Sequence, residues 1–185
     1  MLRIFIGIKI EPSPILTEHR TKLIEIMGMN QINWVDPINY HITLKFLGDV
    51  EEYYINSLTQ LIEQIASKTE TFTLQYDRLG FFGSEKQPRV LWFGFKKQST
   101  IQKLQKSIEK AITYLGFEPE EKTFNPHLTL ARIKKINNAQ PLIEYIKLKN
   151  PEINGSYSVR GFQLIKSVLK PEGPEYTTLR DFRLH

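Results

Sequence analysis

Two copies of one short pattern contain the residues best suited to chemistry. His-x-Thr-Leu begins at His41 and again at His127, and the two copies include two of the four histidines of the chain. In a β-strand, residues i and i+2 lie on the same face about 7 Å apart. Each copy therefore predicts an imidazole beside a hydroxyl, His41 with Thr43 and His127 with Thr129.

Two such imidazoles suit the hydrolysis of a phosphodiester, in which one group removes a proton from water and another protonates the departing oxygen. A histidine pKa is ordinarily near 6.5, so one ring can be neutral while the other is protonated near physiological pH. The threonine hydroxyls are candidates for holding the non-bridging oxygens. Arg132 ends the second motif, where a guanidinium fork can bind the same phosphate. Lys45 corresponds to Arg132 in the first motif strand and is the weaker candidate for binding the phosphate.

No metal or cofactor is predicted. A zinc site needs three or four ligands, the chain has no cysteine, and neither motif contains an acidic residue. A single His-x-Thr on a strand is typical of a structural histidine, whereas two matching copies favour a function. Two structural interpretations stay open: Arg132 as a solvated residue at the end of a strand, and Thr43 and Thr129 as β-branched strand formers.

The other two histidines receive no function. His19 falls in a predicted helix among charged residues and His185 is the last residue, so both are expected to be exposed and unengaged. Phe46 shares a face with the apolar residues of its strand by period two, which predicts burial. Any of several aromatic residues near the motifs is a candidate for stacking on a base, and most are expected in the core: Trp34, Tyr40, Phe81, Phe82 and Trp92.

Length and composition exclude a collagen-like, disordered or coiled-coil protein. The chain has 185 residues, 41% hydrophobic and 24% charged, which allows one domain or two tightly joined halves. The longest apolar stretches are far shorter than a membrane span, so a cytoplasmic location is expected. A net charge of +5 favours acidic partners such as nucleic acid or phosphorylated metabolites.

Periodicity predicts alternating strands and helices. Residues 1–80 follow the order β-α-β-α-β, with a first strand that has one core-facing side, a helix with Ser13 as its cap and Pro14 in its first turn, and then a loop that contains Trp34. Residues 89–185 follow β-α-β-α-β-β, with closing strands over 157–165 and 176–182. The turn-rich segment 80–88 is the predicted boundary between these pseudo-repeat halves. One His-x-Thr motif falls on the middle strand of each half, so halves that face each other would bring both motifs to one cleft.

With its two His-x-Thr motifs, the sequence resembles the 2H phosphoesterases, and more narrowly the RNA 2′,3′-cyclic phosphodiesterases once called 2′-5′ RNA ligases. The resemblance runs almost from end to end and includes residues 3–8, 40–48, 88–92, 125–132, 162–167 and 176–179. It implies a single α+β domain over residues 1–185, with two pseudo-symmetric lobes whose antiparallel sheets face a central cleft.

The resemblance also implies metal-independent hydrolysis of an RNA 2′,3′-cyclic phosphate end, or of a cyclic nucleotide, to a 2′-phosphate. His41 is then the proton donor and His127 the proton acceptor, while Thr43, Thr129 and Arg132 contact the phosphate. Two alternatives stay open: reversible 2′-5′ RNA ligation at the same site, and a non-catalytic module that binds RNA or nucleotides. A monomer that does not bind membranes is the default expectation.

Overall fold

The fold is a long antiparallel sheet with helices packed against it. A computed structural model describes residues 1–171 and 173–185. Nine strands are present in the described part of the chain: β1 (Leu2–Lys9), β2 (Ile32–Trp34), β3 (His41–Val50), β4 (Phe72–Gly83), β5 (Pro88–Phe95), β6 (His127–Ile133), β7 (Ser156–Val159), β8 (Gly161–Lys170) and β9 (Gly173–Arg183). The α-helices are α1 (Pro14–Met27), α2 (Tyr54–Ala66), α3 (Ser99–Tyr114) and α4 (Gln140–Lys149). The predicted α+β class with antiparallel strands is confirmed.

The strand order is β7-β4-β5-β6-β3-β1-β8-β9, with β2 pairing with β6 beside this path. Strands from the two chain halves therefore mix: β1 pairs with β8, and β4 pairs with β7. The helices mix in the same way, since α1 contacts α4 and α2 contacts α3. The two motif strands β3 and β6 meet at the centre, so the site lies where both chain halves join. That the domain consists of two pseudo-repeat halves, 1–80 and 89–185, stays a prediction.

The helices form where apolar residues recur every three or four positions. On α3 this spacing buries Ile101, Leu104, Ile108 and Ile112 against the sheet. Pro14 opens α1, as predicted, because its fixed φ and missing N–H suit the first turn of a helix. Ser13 does not cap α1 with its side chain; its hydroxyl contacts the Tyr76 hydroxyl at 3.2 Å instead.

Several element boundaries differ from the predictions. Residues 80–83 belong to β4 and pair with β5, so the predicted connector 80–88 is reduced to the turn at 84–87. Ile32–Trp34, predicted as loop, forms the short strand β2 because β6 offers it a free edge. The strand predicted over 157–165 is two strands, β7 and β8. The prediction of one core-facing side for β1 is wrong, because both of its faces are buried between residues 4 and 8.

Candidate active site

The two motif strands touch at their central residues. Ile42 of β3 pairs with Leu128 of β6 in antiparallel register, which sets His41 opposite Thr129 and Thr43 opposite His127. In regular antiparallel geometry the diagonal neighbours of such a pair lie about 7–8 Å apart. The two histidines occupy one diagonal and the two threonines the other, on the same face of the sheet. We call this face the cleft face.

His41 is half-buried, and contacts on several sides fix its ring. Its Nδ1 lies 2.7 Å from the main-chain oxygen of Asn39, and because a carbonyl only accepts, Nδ1 carries the proton. The ring centroid lies 4.8 Å from that of Phe5 and 5.2 Å from that of Tyr176, with the tyrosine ring perpendicular. Nε2 is therefore the ring nitrogen available to a ligand.

His127 repeats this arrangement in the second motif. Its Nδ1 lies 2.8 Å from the main-chain oxygen of Asn125, again two residues earlier in the chain. Phe82 stands perpendicular to the imidazole with ring centroids 5.0 Å apart, and the Trp92 centroid lies 6.4 Å away. Both histidines thus have the same tautomer, set by a backbone carbonyl, and each is enclosed by two aromatic residues.

The surroundings make both histidines less basic than usual. Burial lowers the pKa of His41 below its ordinary 6.5, and the charges of His127 and Arg132 lower it further, against the opposing hydrogen bond to Asn39. Burial also lowers the pKa of His127, with a smaller contribution from Arg132. Arg132 acts on both rings, which therefore share one electrostatic environment, and an anionic ligand would favour the protonated form of either ring.

A β-bulge brings Arg132 onto the cleft face. Strict alternation along β6 would place Arg132 opposite to His127 and Thr129. The register between β5 and β6 shifts, however, because Leu91 pairs with Ala131 while Trp92 pairs with Thr129. The extra residue is Leu130, and both it and Ala131 are buried. Arg132 is therefore exposed on the same side as the histidine and the threonine.

A similar irregularity in β3 corrects two predictions. The register of β1 with β3 shifts between Ile6 and Gly7, and Leu44 and Lys45 are buried in succession. Lys45 consequently lies on the helix side, where its ammonium donates to the Glu109 carboxylate at 2.8 Å and to the Glu118 carbonyl at 2.8 Å. The interpretation of Lys45 as a phosphate ligand is therefore wrong, and so is the predicted burial of Phe46, which is 45% exposed.

Sequence reasoning missed the groups that complete the site around the motifs. Tyr176 reaches His41 from β9; burial raises the pKa of its hydroxyl, and the charges of Arg132 and Arg3 offset part of that rise. The Arg3 guanidinium carbon lies 4.9 Å from the Phe46 ring centroid. Phe5, whose ring packs on His41, also lies outside the predicted site. Only strand pairing reveals these neighbours, because β1 and β9 are far from the motifs in sequence.

The two remaining histidines behave differently from each other. His185 is exposed, as predicted, although its backbone pairs with residues 69 and 71. The predicted exposure of His19 is wrong: it is 6% exposed, and its Nδ1 lies 2.9 Å from the Tyr145 hydroxyl between α1 and α4. The prediction fails because His19 occupies the inner face of α1 with Leu16 and Leu23.

Cations, hydroxyls and aromatic rings surround the two imidazoles, an arrangement suited to a phosphate ester with an attached base. Of the other aromatic residues considered, Tyr40 and Trp92 are buried and Trp34 is half-buried. In the residues that the structure describes, no group of three or more His, Cys, Asp or Glu side chains is arranged to hold a metal ion. Among the same residues, no helix is both long enough and apolar enough to span a membrane.

This fold with paired motifs on adjoining strands is that of the 2H phosphoesterases. The family model of the 2′-5′ RNA ligase superfamily matches residues 34–170, and the chain belongs to that superfamily. It is similar to the RNA 2′,3′-cyclic phosphodiesterase of Archaeoglobus fulgidus, with 32% identity over 182 residues, 98% of this chain and 99% of that protein. The enzyme of the same name from Methanothermobacter thermautotrophicus is 36% identical over 155 residues, 83% of each chain.

Solved structures agree with this assignment. LigT of Escherichia coli complexed with 3′-AMP superimposes with a TM-score of 0.78 and 25% identity, covering 99% of this chain and 98% of that chain. The protein TT0787 of Thermus thermophilus gives a TM-score of 0.78 and 26% identity with the same coverage.

Proposed function

We propose that the protein hydrolyses 2′,3′-cyclic phosphate ends of RNA to 2′-phosphates. The observation that carries the proposal is the matched pair of histidines, each with Nδ1–H bound to a carbonyl two residues earlier and each with Nε2 free for proton transfer. The names of the relatives support the substrate class. The protein is further proposed to act as a single-domain monomer over residues 1–185, in the cytoplasm.

In the proposed reaction, His127 accepts a proton from a water molecule as its oxygen attacks phosphorus. The bond from phosphorus to the ribose O3′ breaks, and His41 donates a proton to that oxygen. One water is consumed, and the products are a 2′-phosphomonoester and a 3′-hydroxyl. The choice of His41 as donor and His127 as acceptor follows the resemblance of the motifs to the family.

The remaining site residues are assigned to the phosphate. Thr43 and Thr129 lie diagonally between the histidines, where their hydroxyls can donate to non-bridging oxygens. Arg132 supplies a guanidinium fork for the charge that develops in the transition state. The exposed ring of Phe46, on the same face, offers a surface for stacking of the terminal base. These groups supply acid, base and charge stabilisation without a metal ion.

The test is incubation of the purified protein in EDTA with a short RNA that ends in a 2′,3′-cyclic phosphate. The expected product is a 2′-phosphate, and it should be lost in both His41→Ala and His127→Ala. A 3′-phosphate product would contradict the proposed bond cleavage, and activity that requires a metal would contradict the mechanism. Joined products on addition of 5′-hydroxyl RNA would favour ligation, and binding without turnover between about pH 5 and 8 would favour a binding module.

A further inference from the structure

Three cations lie together beyond the end of β6. Arg89 is the second residue of β5, and Lys134 and Lys135 directly follow the last residue of β6. All three side chains are exposed, and together with residues 87, 88 and 136 they line a shallow depression of about 80 Å³. We call these three residues the β6 basic strip.

The β6 basic strip continues the line of site residues. Along β6 the cleft face carries His127, Thr129 and Arg132 in order, and buried Ile133 separates Arg132 from Lys134, the next exposed position. A step of two residues spans about 7 Å in extended chain. The backbone of Lys134 is held in place, since its N–H donates to the Gln31 carbonyl at 2.9 Å. Arg89 joins these residues from the neighbouring strand: it precedes Val90, which pairs with Arg132, and it lines the same depression as Lys134 and Lys135.

The charges of the strip are available to a ligand. In the part of the chain that the structure describes, Arg89, Lys134 and Lys135 have no carboxylate oxygen within 4 Å. Lys45, by contrast, is neutralised by Glu109 on the helix side. The depression among the three cations is too small for a nucleoside, given that small-molecule pockets usually measure about 300–1,000 Å³. Its size and charge suit single phosphate groups.

We propose that the β6 basic strip binds backbone phosphates of RNA on the 5′ side of the cyclic end. This inference rests on the proposed function, because it takes the reacting phosphate to lie among His41, His127 and Arg132. A strand that runs from there along β6 meets Arg132 first and the strip next. The strip therefore favours binding of an oligonucleotide over a cyclic mononucleotide, because the mononucleotide is too short to reach it. Contacts to backbone phosphates do not depend on the base sequence of the RNA.

The experiment compares two substrates with two triple variants. The substrates are an RNA of about ten nucleotides with a 2′,3′-cyclic phosphate end, and adenosine 2′,3′-cyclic phosphate. The test variant is Arg89→Gln/Lys134→Gln/Lys135→Gln. The charge-matched control is Lys103→Gln/Lys106→Gln/Lys110→Gln, which removes three cations from α3, the helix whose Glu109 pairs with Lys45 on the helix side.

In the test variant, KM for the RNA should rise about tenfold or more while kcat/KM for the mononucleotide stays unchanged. The slope of log KM for the RNA against log salt should fall by about 2, since each phosphate contact to a single strand contributes about 0.7. The control variant should keep most of the wild-type salt slope. Equal losses on both substrates, or an unchanged KM for the RNA, would overturn the assignment. A wild-type protein that turns over neither substrate would instead contradict the proposed function.

Discussion

His41 and His127 hold their imidazole rings by the same contact, a hydrogen bond from Nδ1–H to the main-chain oxygen two residues earlier, at 2.7 and 2.8 Å. The acceptors are Asn39 and Asn125, which precede the two motif strands at matching positions. Because Nδ1 is occupied in both rings, proton exchange with a ligand is confined to the two Nε2 atoms. The acid and the base therefore differ in their protonation state and not in their geometry.

The pH dependence of kcat/KM should be bell-shaped, with both limbs governed by pKa values below 6.5. Burial lowers the pKa of both histidines, and Arg132 lowers each further. The rate falls at low pH as the base, His127, becomes protonated, and at high pH as the acid, His41, loses its proton. Steady-state assays in EDTA across about pH 4.5 to 8.5 measure this. A maximum above pH 7 would show that the free-enzyme histidines do not control the rate.

Replacement of Arg132 should reduce catalysis far more than stability. Arg132→Ala removes the guanidinium from the transition state, and loss of one such donor costs about 10²–10³-fold in kcat. Arg132→Lys keeps the charge without the planar fork and should recover only part of the rate. Since the side chain is exposed, the free energy of unfolding should change by about 0.5 kcal/mol or less. Wild-type kcat in Arg132→Ala would remove Arg132 from the phosphate site.

The ion pair of Lys45 with Glu109 should stabilise the first motif strand from its helix side. The Lys45 side chain is 5% exposed, and Glu109 also accepts from the Glu120 N–H at 2.7 Å. Lys45→Met leaves a carboxylate without its partner in a largely buried setting and should cost about 3 kcal/mol of unfolding free energy. Lys45→Met/Glu109→Gln should recover part of that loss, because the amide oxygen still accepts. Urea denaturation measures both, and equal stability of the two variants would contradict this coupling.

Glycine should be required at position 80 for a stable fold, because the Trp92 ring packs directly against the backbone there. A Cβ atom on Gly80 would lie 2.3 Å from Cη2 and 2.4 Å from Cζ2 of Trp92. Gly80→Ala should therefore displace the indole beside His127 and destabilise the fold by about 1–3 kcal/mol.

The rescue variant is Gly80→Ala/Trp92→Phe. Phenylalanine lacks the clashing atoms, and the substitution removes an indole N–H that has no hydrogen-bond partner among the described residues. Thermal unfolding of Gly80→Ala, Trp92→Phe and the double variant measures the coupling. If the double variant is no more stable than Gly80→Ala, the clash is not the cause of the loss.

The motif pattern predicted which residues share the site, but it did not predict the strand pairing and the bulges that place them there. Period two places His41 with Thr43 and His127 with Thr129, and the pairing of Ile42 with Leu128 brings these pairs together. Period two fails at Lys45, Phe46 and Arg132, because each lies after a bulge that a sequence pattern does not reveal. The contacts of Phe5 and Tyr176 with His41 depend on pairing between distant strands, which local periodicity cannot supply.

His19 should make the protein less stable in mildly acidic solution. Its side chain is buried between α1 and α4, its Nδ1 lies 2.9 Å from the Tyr145 hydroxyl, and Glu18, Lys149 and Glu152 surround it. Burial lowers its pKa in the folded state, and Lys149 adds to this, against the raising effects of Glu18 and Glu152. The unfolded chain therefore binds the proton more tightly. The linked stability is present above about pH 6.5 and is lost as pH falls through the folded-state pKa.

The Tm of the wild type should accordingly fall further between about pH 7.5 and 5.5 than that of His19→Gln, in which this group cannot titrate. For a chain of this size, each kcal/mol of linked stability corresponds to about 2–4 °C in Tm. His41 and His127 titrate in both proteins, so the difference between the two Tm shifts isolates His19. Tyr145→Phe controls for the hydrogen bond alone and should retain most of the pH dependence, because burial is its largest cause. Equal Tm shifts in wild type and His19→Gln would contradict a neutral, buried His19.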